Sequence, residues 1–214
     1  MVIDVKICGL NDPASVQAAV QGGAAMVGFV FFQGSPRYVA PVRQAALAAL
    51  VPANVLKVGL VVDADDAALD ALLALARLDL LQLHGQESPD RVAAIRTRHG
   101  LPVMKAVAIA DAADIVLARK YETVADRLLF DARPPAGATR PGGNATAFDW
   151  FLLKEQPWQK PWLLAGGLNA DNLAEAVAAS GARTVDVSSG VEDRPGVKNP
   201  EKIRRFLALA HSLG

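Results

Sequence analysis

Cys8, His84, Asp131 and Asp186 are the residues of this chain whose types and placement suit proton transfer. A thiol, an imidazole and a carboxyl are the side chains that take and give protons in general acid–base chemistry. Each lies in or just after a short apolar run, and alternation along an extended strand puts residues i and i+2 on one face. In the first run Ile3, Val5 and Ile7 then point one way and Asp4, Lys6 and Cys8 the other. The same parity pairs Gln82 with His84 and Asp186 with Ser188, opposite Leu81, Leu83, Val185 and Val187. Two small-residue segments accompany these positions, Ala165-Gly166-Gly167-Leu168-Asn169 and Ser188-Ser189-Gly190-Val191. Such segments let backbone N–H groups approach a phosphate closely, and a helix start nearby adds the positive end of its dipole.

The elements that must hold these residues follow from periodicity. Strand-like runs occur at Ile3 to Cys8, Met26 to Phe31, Val55 to Val62, Leu78 to Leu83, Val103 to Ile109, Arg127 to Asp131, Trp162 to Ala165 and Thr184 to Val187. Between them lie stretches with helical spacing of apolar residues, among them Ala14 to Val20, Val42 to Leu50, Ala67 to Leu75, Pro89 to Thr97, Leu173 to Ala179 and Glu201 to Leu213. Asn11-Asp12-Pro13, Ser88-Pro89 and Asn169 to Asp171 are start signals, and Gly22-Gly23, Gly100 and Gly181 are stops. Strands alternating with helices predict parallel pairing with crossover helices, and the short repeat predicts a single (β/α)8 TIM barrel domain over residues 1–214. Barrel enzymes place their chemistry at the carboxyl ends of the strands. That selects Cys8, His84, Asp131 and Ser188 with the loop after it. The stretch from Ala132 to Ala147, rich in proline and glycine, reads as an active-site loop. Simpler readings stand beside these. Cys8 can be a small buried hydrophobe, Asp131 a cap, the Gly166-Gly167 pair a plain turn, and Lys6, Lys57, Lys105 and Asp186 can neutralise one another inside the barrel.

Composition removes several classes of function. A hydrophobic content of 52% and a mean hydropathy of +0.24 suffice for a sizeable core. Lys plus Arg and Asp plus Glu each number 22, so the positive surplus that binding to nucleic acid requires is missing. The longest apolar stretches are interrupted by Pro52, Asn54 or Asp70, which leaves no membrane span to expect. Asp4 and Lys6 spoil a signal-peptide core, and a lone cysteine forms no internal disulfide, so a cytoplasmic protein is expected.

Longer segments carry a resemblance. KICGL at Lys6 to Leu10, GFVF with SPRYV between Gly28 and Val39, QLHGQE at Gln82 to Glu87, LLFDA at Leu128 to Ala132, PGG with FDW between Pro141 and Trp150, LAGGLNADN at Leu164 to Asn172, and DVSSGVE with PGVK from Asp186 to Lys198 span the chain. With these the chain resembles the phosphoribosylanthranilate isomerases of tryptophan biosynthesis. The resemblance implies an Amadori rearrangement without metal or cofactor, converting N-(5-phosphoribosyl)anthranilate to the carboxyphenylamino-deoxyribulose 5-phosphate. By the same likeness Cys8 is the general base, Asp131 the general acid, and Arg37 the fork for the anthranilate carboxylate. His84 contacts substrate, Asp186 orients the site, and Gly166, Gly167, Ser188, Ser189 and Gly190 hold the phosphate. The roles set conditions. A thiol of ordinary pKa near 8.5 needs a positive neighbour, for which Lys6 is placed, and an acid at neutral pH needs Asp131 raised above about 3.9.

One departure from the family pattern is Asn144-Ala145 after PGG, where a second glycine is common, which bears on how that loop closes. No second synthase domain accompanies the barrel, so a monofunctional enzyme acting on a small phosphosugar is expected, as a monomer or homodimer. Two alternatives remain, another phosphosugar barrel and a non-enzymatic module that binds a phosphorylated ligand. A pentose-phosphate epimerase would show a metal-binding His/Asp set that histidines 84, 99 and 211 do not form, and a histidine-pathway isomerase would favour aspartate at position 8.

Overall fold

The computed structural model describes residues 2–133, 137, 142, 147–154 and 156–214. Eight parallel strands close into a barrel in chain order: β1 (Asp4–Cys8), β2 (Met26–Val30), β3 (Leu56–Val61), β4 (Leu80–Leu83), β5 (Val103–Ile109), β6 (Arg127–Ala132), β7 (Trp162–Leu164) and β8 (Thr184–Val187). β1 pairs with β2 on one side and β8 on the other, with Lys6 level with both Met26 and Asp186. The crossovers are α1 (Pro13–Gln21), α2 (Pro41–Ala48), α3 (Asp66–Leu75), α4 (Pro89–His99), α5 (Ala112–Arg119), α6 (Leu173–Ser180) and α7 (Pro200–Ser212). Between β6 and β7 the described residues contain a 3₁₀ turn, Trp150–Leu153, where the repeat predicts a helix. A short antiparallel hairpin, β9 (Glu192–Arg194) with β10 (Val197–Lys198), is inserted between β8 and α7 and was not anticipated from periodicity.

Local signals account for most helix starts. Asp12 accepts from the Ser15 amide at 2.9 Å with Pro13 in the first turn, and Ser88 accepts from the Arg91 amide at 3.2 Å ahead of Pro89. These side chains satisfy amides that the helix itself leaves unpaired. The third expected start is displaced. Asn169 accepts from the amides of Asp171 and Asn172, closing a turn, and α6 begins only at Leu173.

Strand parity sorts the core into two layers. Met26, Val58, Leu80, Met104, Ala106, Leu129, Leu163 and Ala165 fill the barrel, and a larger cluster including Val5, Ile7, Leu81, Leu83, Val185 and Val187 packs outward against the helices. The expected set of four charges does not assemble. Lys6 pairs with Asp186 at 2.8 Å, but Lys57 pairs with Asp79 at 2.6 Å and Lys105 with Glu87 at 2.8 Å. The two lysines share strand parity with the outward Val103 and Val107 and with Gly59, so neither enters the barrel. The His99 side chain is only 6% exposed, beside Asp70. No helix among the described residues is long and apolar enough to cross a membrane.

The Glu87–Lys105 pair fixes the turn that follows His84. Glu87 accepts from the amides of Asp63 and Gly85, and Lys105 also donates to the Leu83 and Gly85 carbonyls. Burial pushes the Glu87 carboxyl up, but the Lys105 charge and hydrogen bond and the Asp63 amide outweigh it and hold the group below its ordinary 4.5. A depressed acid adds stability that is full above the ordinary value and is lost as pH falls through the folded one. Glu87→Gln should therefore cost about 3 to 5 kcal/mol at neutral pH, by stranding a buried ammonium, and this gap should close in acid. Urea titrations of both proteins at neutral and acid pH check this, and a gap independent of pH would refute it.

Candidate active site

The carboxyl ends of the strands surround a cleft of about 500 Å³, open solvent at its mouth included. Cys8 from β1, Asp131 from β6, His84 just beyond β4, Asp186 from β8, Ser188 just after it and Arg37 from the β2–α2 loop all line it. Residues far apart in the chain thus meet because each ends, or closely follows, a strand of one closed barrel.

Cys8 is 4% exposed and lies beside Lys6, which is fully buried. Both fit because β2 offers Gly28 at the same level. A Cβ there would come within 3.0 Å of both the Cys8 Sγ and the Lys6 Nζ. Burial pulls the Lys6 ammonium down, but the Asp186 carboxylate and Cys8 outweigh it, so Lys6 is held above its ordinary 10.5 and stays charged. The outcome for Cys8 differs from expectation. Burial pushes the thiol up, Asp186 adds to the rise, and the opposing charges of Lys6 and Lys198 do not overcome them. Lys6 stands beside Cys8 as expected, yet Cys8 is a thiol at neutral pH. Its conjugate thiolate is correspondingly a stronger base than a free one.

Asp131 is 7% exposed. Its Oδ1 accepts from the Ala132 amide at 2.9 Å, and its Oδ2 lies 3.2 Å from the His84 Nε2. On the far side of that ring Gln82 Nε2 meets Nδ1 at 2.8 Å. With Gln82 donating, the imidazole hydrogen sits on Nε2 and is directed at the Asp131 carboxyl. His84, expected only to contact substrate, is thereby joined to the carboxyl. Gln82, fully buried and also lining the cleft, was read as inward but not as part of the site.

The two glycine-bearing turns pack on each other. A Cβ on Gly190 would lie 2.0 Å from the Leu168 carbonyl oxygen, so the backbones touch and no side chain fits between them. Gly166, at φ +90°, backs onto Ala132 and Asp131, and Gly167 accepts from Asn172 Nδ2 at 3.0 Å. Ser188, of the five residues expected to hold phosphate, is the one that lines the cleft itself, and its hydroxyl donates to the Cys8 carbonyl at 3.1 Å. Ser189 and Gly190 form a 3₁₀ turn with Val191 directly after it.

Residues 5–208 match the family model described as N-(5'-phosphoribosyl)anthranilate (PRA) isomerase. The chain belongs to this family. It is 57% identical over 210 residues to the N-(5'-phosphoribosyl)anthranilate isomerase of Paramagnetospirillum magneticum, covering 98% of each chain. Its fold matches the PRA isomerase of Thermotoga maritima with a TM-score of 0.88 at 32% identity, covering 99% of this chain and 100% of that one. A PRA isomerase solved with reduced 1-(o-carboxyphenylamino)-1-deoxyribulose 5-phosphate matches with a TM-score of 0.84 at 31% identity, with the same coverage.

In this member of the PRA isomerase family the loop after β6 falls mostly outside the described residues, as do Asn144 and Ala145. Gly142 is described. It lies against Asp131 and His84, since a Cβ there would sit 2.6 Å from Asp131 Oδ2 and 2.7 Å from His84 Nε2. Glu192 and Lys198 belong to the family segments DVSSGVE and PGVK but received no role from sequence. Both are buried, and Glu192 receives Arg37 side-on at 2.7 and 2.9 Å. The available signal was two formal charges within motifs whose other residues, Asp186 apart, are small or apolar.

Proposed function

We propose that this chain, as a single barrel domain in the cytoplasm and as a monomer or homodimer, catalyses the Amadori rearrangement of N-(5-phosphoribosyl)anthranilate to 1-(2-carboxyphenylamino)-1-deoxyribulose 5-phosphate in tryptophan biosynthesis. The observation that carries this reading is the meeting of Cys8, Asp131 and Arg37 in one cleft, next to the packed turns after β7 and β8. The ligand would lie with its phosphate at Gly166, Gly167, Ser188, Ser189 and Gly190, where small residues expose backbone amides. Its carboxylate would meet the Arg37 guanidinium, which leaves the ribose between the thiol and the carboxyl.

Asp131 as acid gives its proton to the furanose ring oxygen while the C1–O bond breaks, and the anilino nitrogen lone pair forms the protonated Schiff base. The His84 Nε2 hydrogen then faces the new carboxylate and stabilises it. Cys8 as base, in its thiolate form, takes the proton from C2, and the C–H electron pair flows toward the iminium nitrogen to give the enolamine. Protonation at C1 and loss of the hydroxyl proton at C2 complete the ketone. The substrate's own nitrogen is the electron sink, so these steps need no added cofactor. Lys6 holds Asp186 in place and keeps a positive charge beside the thiolate that acts as base.

Decay of anthranilate-type fluorescence on mixing the protein with freshly generated phosphoribosylanthranilate tests the assignment. Catalysed decay to the deoxyribulose product supports it. A folded protein that binds the compound without converting it would point instead to a binding module, and conversion of a different phosphosugar alone would move the assignment to another isomerase.

A further inference from the structure

Resting on the proposed function, we propose that Glu192 is a specificity-determining positioning residue: it presents Arg37 to the substrate carboxylate and ties that fork, through Lys198, to the Ser188 turn. Arg37 donates from Nε to Glu192 Oε1 at 2.7 Å and from Nη2 to Oε2 at 2.9 Å. A guanidinium has five N–H donors in a fixed plane, so this grip leaves the edge shared by Nη1 and the second Nη2 hydrogen for a further planar acceptor. Arg37 is 5% exposed and lines the cleft, so any such acceptor arrives from the cleft.

The same carboxylate serves a second cation. Lys198 Nζ spends its three donors on Glu192 Oε1 at 2.8 Å, the Ser188 carbonyl at 2.8 Å and the Ser188 hydroxyl at 3.2 Å. That hydroxyl in turn holds the Cys8 carbonyl. Arg37, Glu192 and Lys198 together carry one net positive charge, which one ligand carboxylate neutralises. Burial lowers Lys198 to about 8 even with Glu192 beside it, so the ammonium depends on that carboxylate to remain charged.

Backbone packing brings the hairpin against the arginine loop independently of the charges. A Cβ on Gly196, between β9 and β10, would lie 2.2 Å from the Pro36 carbonyl oxygen, and Asn11 Nδ2 donates to the Gly196 carbonyl at 3.1 Å. On the opposite side the Arg37 stem runs over Gly9, at φ +78°, where a Cβ would approach Arg37 Cδ to 2.6 Å. The glycine of KICG thus makes room for the arginine of SPRYV. The groups proposed to hold the two ends of the ligand form one interlocked unit with Glu192 at its centre.

The test compares N-(5-phosphoribosyl)anthranilate with N-(5-phosphoribosyl)aniline, which has the same reacting atoms but no carboxylate. For wild type and Glu192→Gln the quantity read is the ratio of kcat/KM for the two compounds. Glu192→Gln should reduce this ratio by about tenfold or more, chiefly through a higher KM for the carboxylated compound, as expected when an interaction present in both ground and transition states is loosened. Glu192→Asp, which keeps the charge but withdraws the carboxylate by one methylene, should fall between the two and covers the case in which the glutamine variant fails to fold. In an Arg37→Ala background the Glu192 substitution should no longer change the ratio. Equal losses for both compounds, or an unchanged ratio in both Glu192 variants, would overturn the proposal. Failure of wild type to turn over either compound is a separate result that removes the proposed function and this inference with it.

Discussion

Cys8→Ala should lower kcat by about 10²- to 10⁴-fold, the range typical for loss of a general base. Alanine leaves Lys6 paired with Asp186 and removes only the sulfur beside them, so the protein should keep its fold and its affinity for the reduced product analogue. The slow step becomes removal of the C2 proton by water. Substrate deuterated at C2 should accordingly show a full primary isotope effect in the variant. Because burial holds the thiol above its ordinary value, wild-type kcat/KM should rise with pH as the thiolate grows in, and the residual activity of Cys8→Ala should lack that rise. A variant retaining a third or more of wild-type kcat would place the base elsewhere.

Asp131→Asn should cost a similar factor, about 10² to 10⁴, through a different step. Asparagine can still accept from the Ala132 amide through Oδ1, but its Nδ2 then meets the His84 Nε2 hydrogen donor to donor, so the contact with His84 is lost together with the transferable proton. Ring opening then limits the rate, and the C2 deuterium effect should shrink toward unity. Opposite isotope responses in the two variants would separate acid from base with one labelled substrate. A large C2 effect in Asp131→Asn would show that the carboxyl acts after ring opening, contrary to its assigned role.

Period-two alternation located the strands and sent Lys6, Cys8, Gln82, Asp186 and Ser188 to the inner face, because in β1, β4 and β8 only one face is apolar. In β5, VMKAVAI, both faces are apolar. Parity there has no contrast to read, and Lys105 was assigned inward although it reaches out to Glu87. The hairpin escaped notice because strands of three and two residues are too short to show a period. The Arg37–Glu192 pair was out of reach for a different reason: its members stand 155 positions apart, and only the closed barrel makes them neighbours. The upward shift of the Cys8 thiol has the same origin. A nearby lysine is visible in KICG, whereas the desolvation that opposes it depends on every strand around the axis.

The contacts between β1 and β8 bear on how the working protein comes into being. Lys6 with Asp186, and Cys8 with Ser188, join residues 180 positions apart across the one seam of the barrel that links its first strand to its last. A nascent chain that has completed seven strands already carries Cys8, Arg37, His84 and Asp131. It still lacks Asp186 opposite Lys6, Ser188 beneath Cys8 and Glu192 behind Arg37. Contacts this distant in sequence form late, after local helices and neighbouring strands have paired. Return of turnover during refolding therefore times the closing of the seam, while the far-ultraviolet signal times only the formation of the staves.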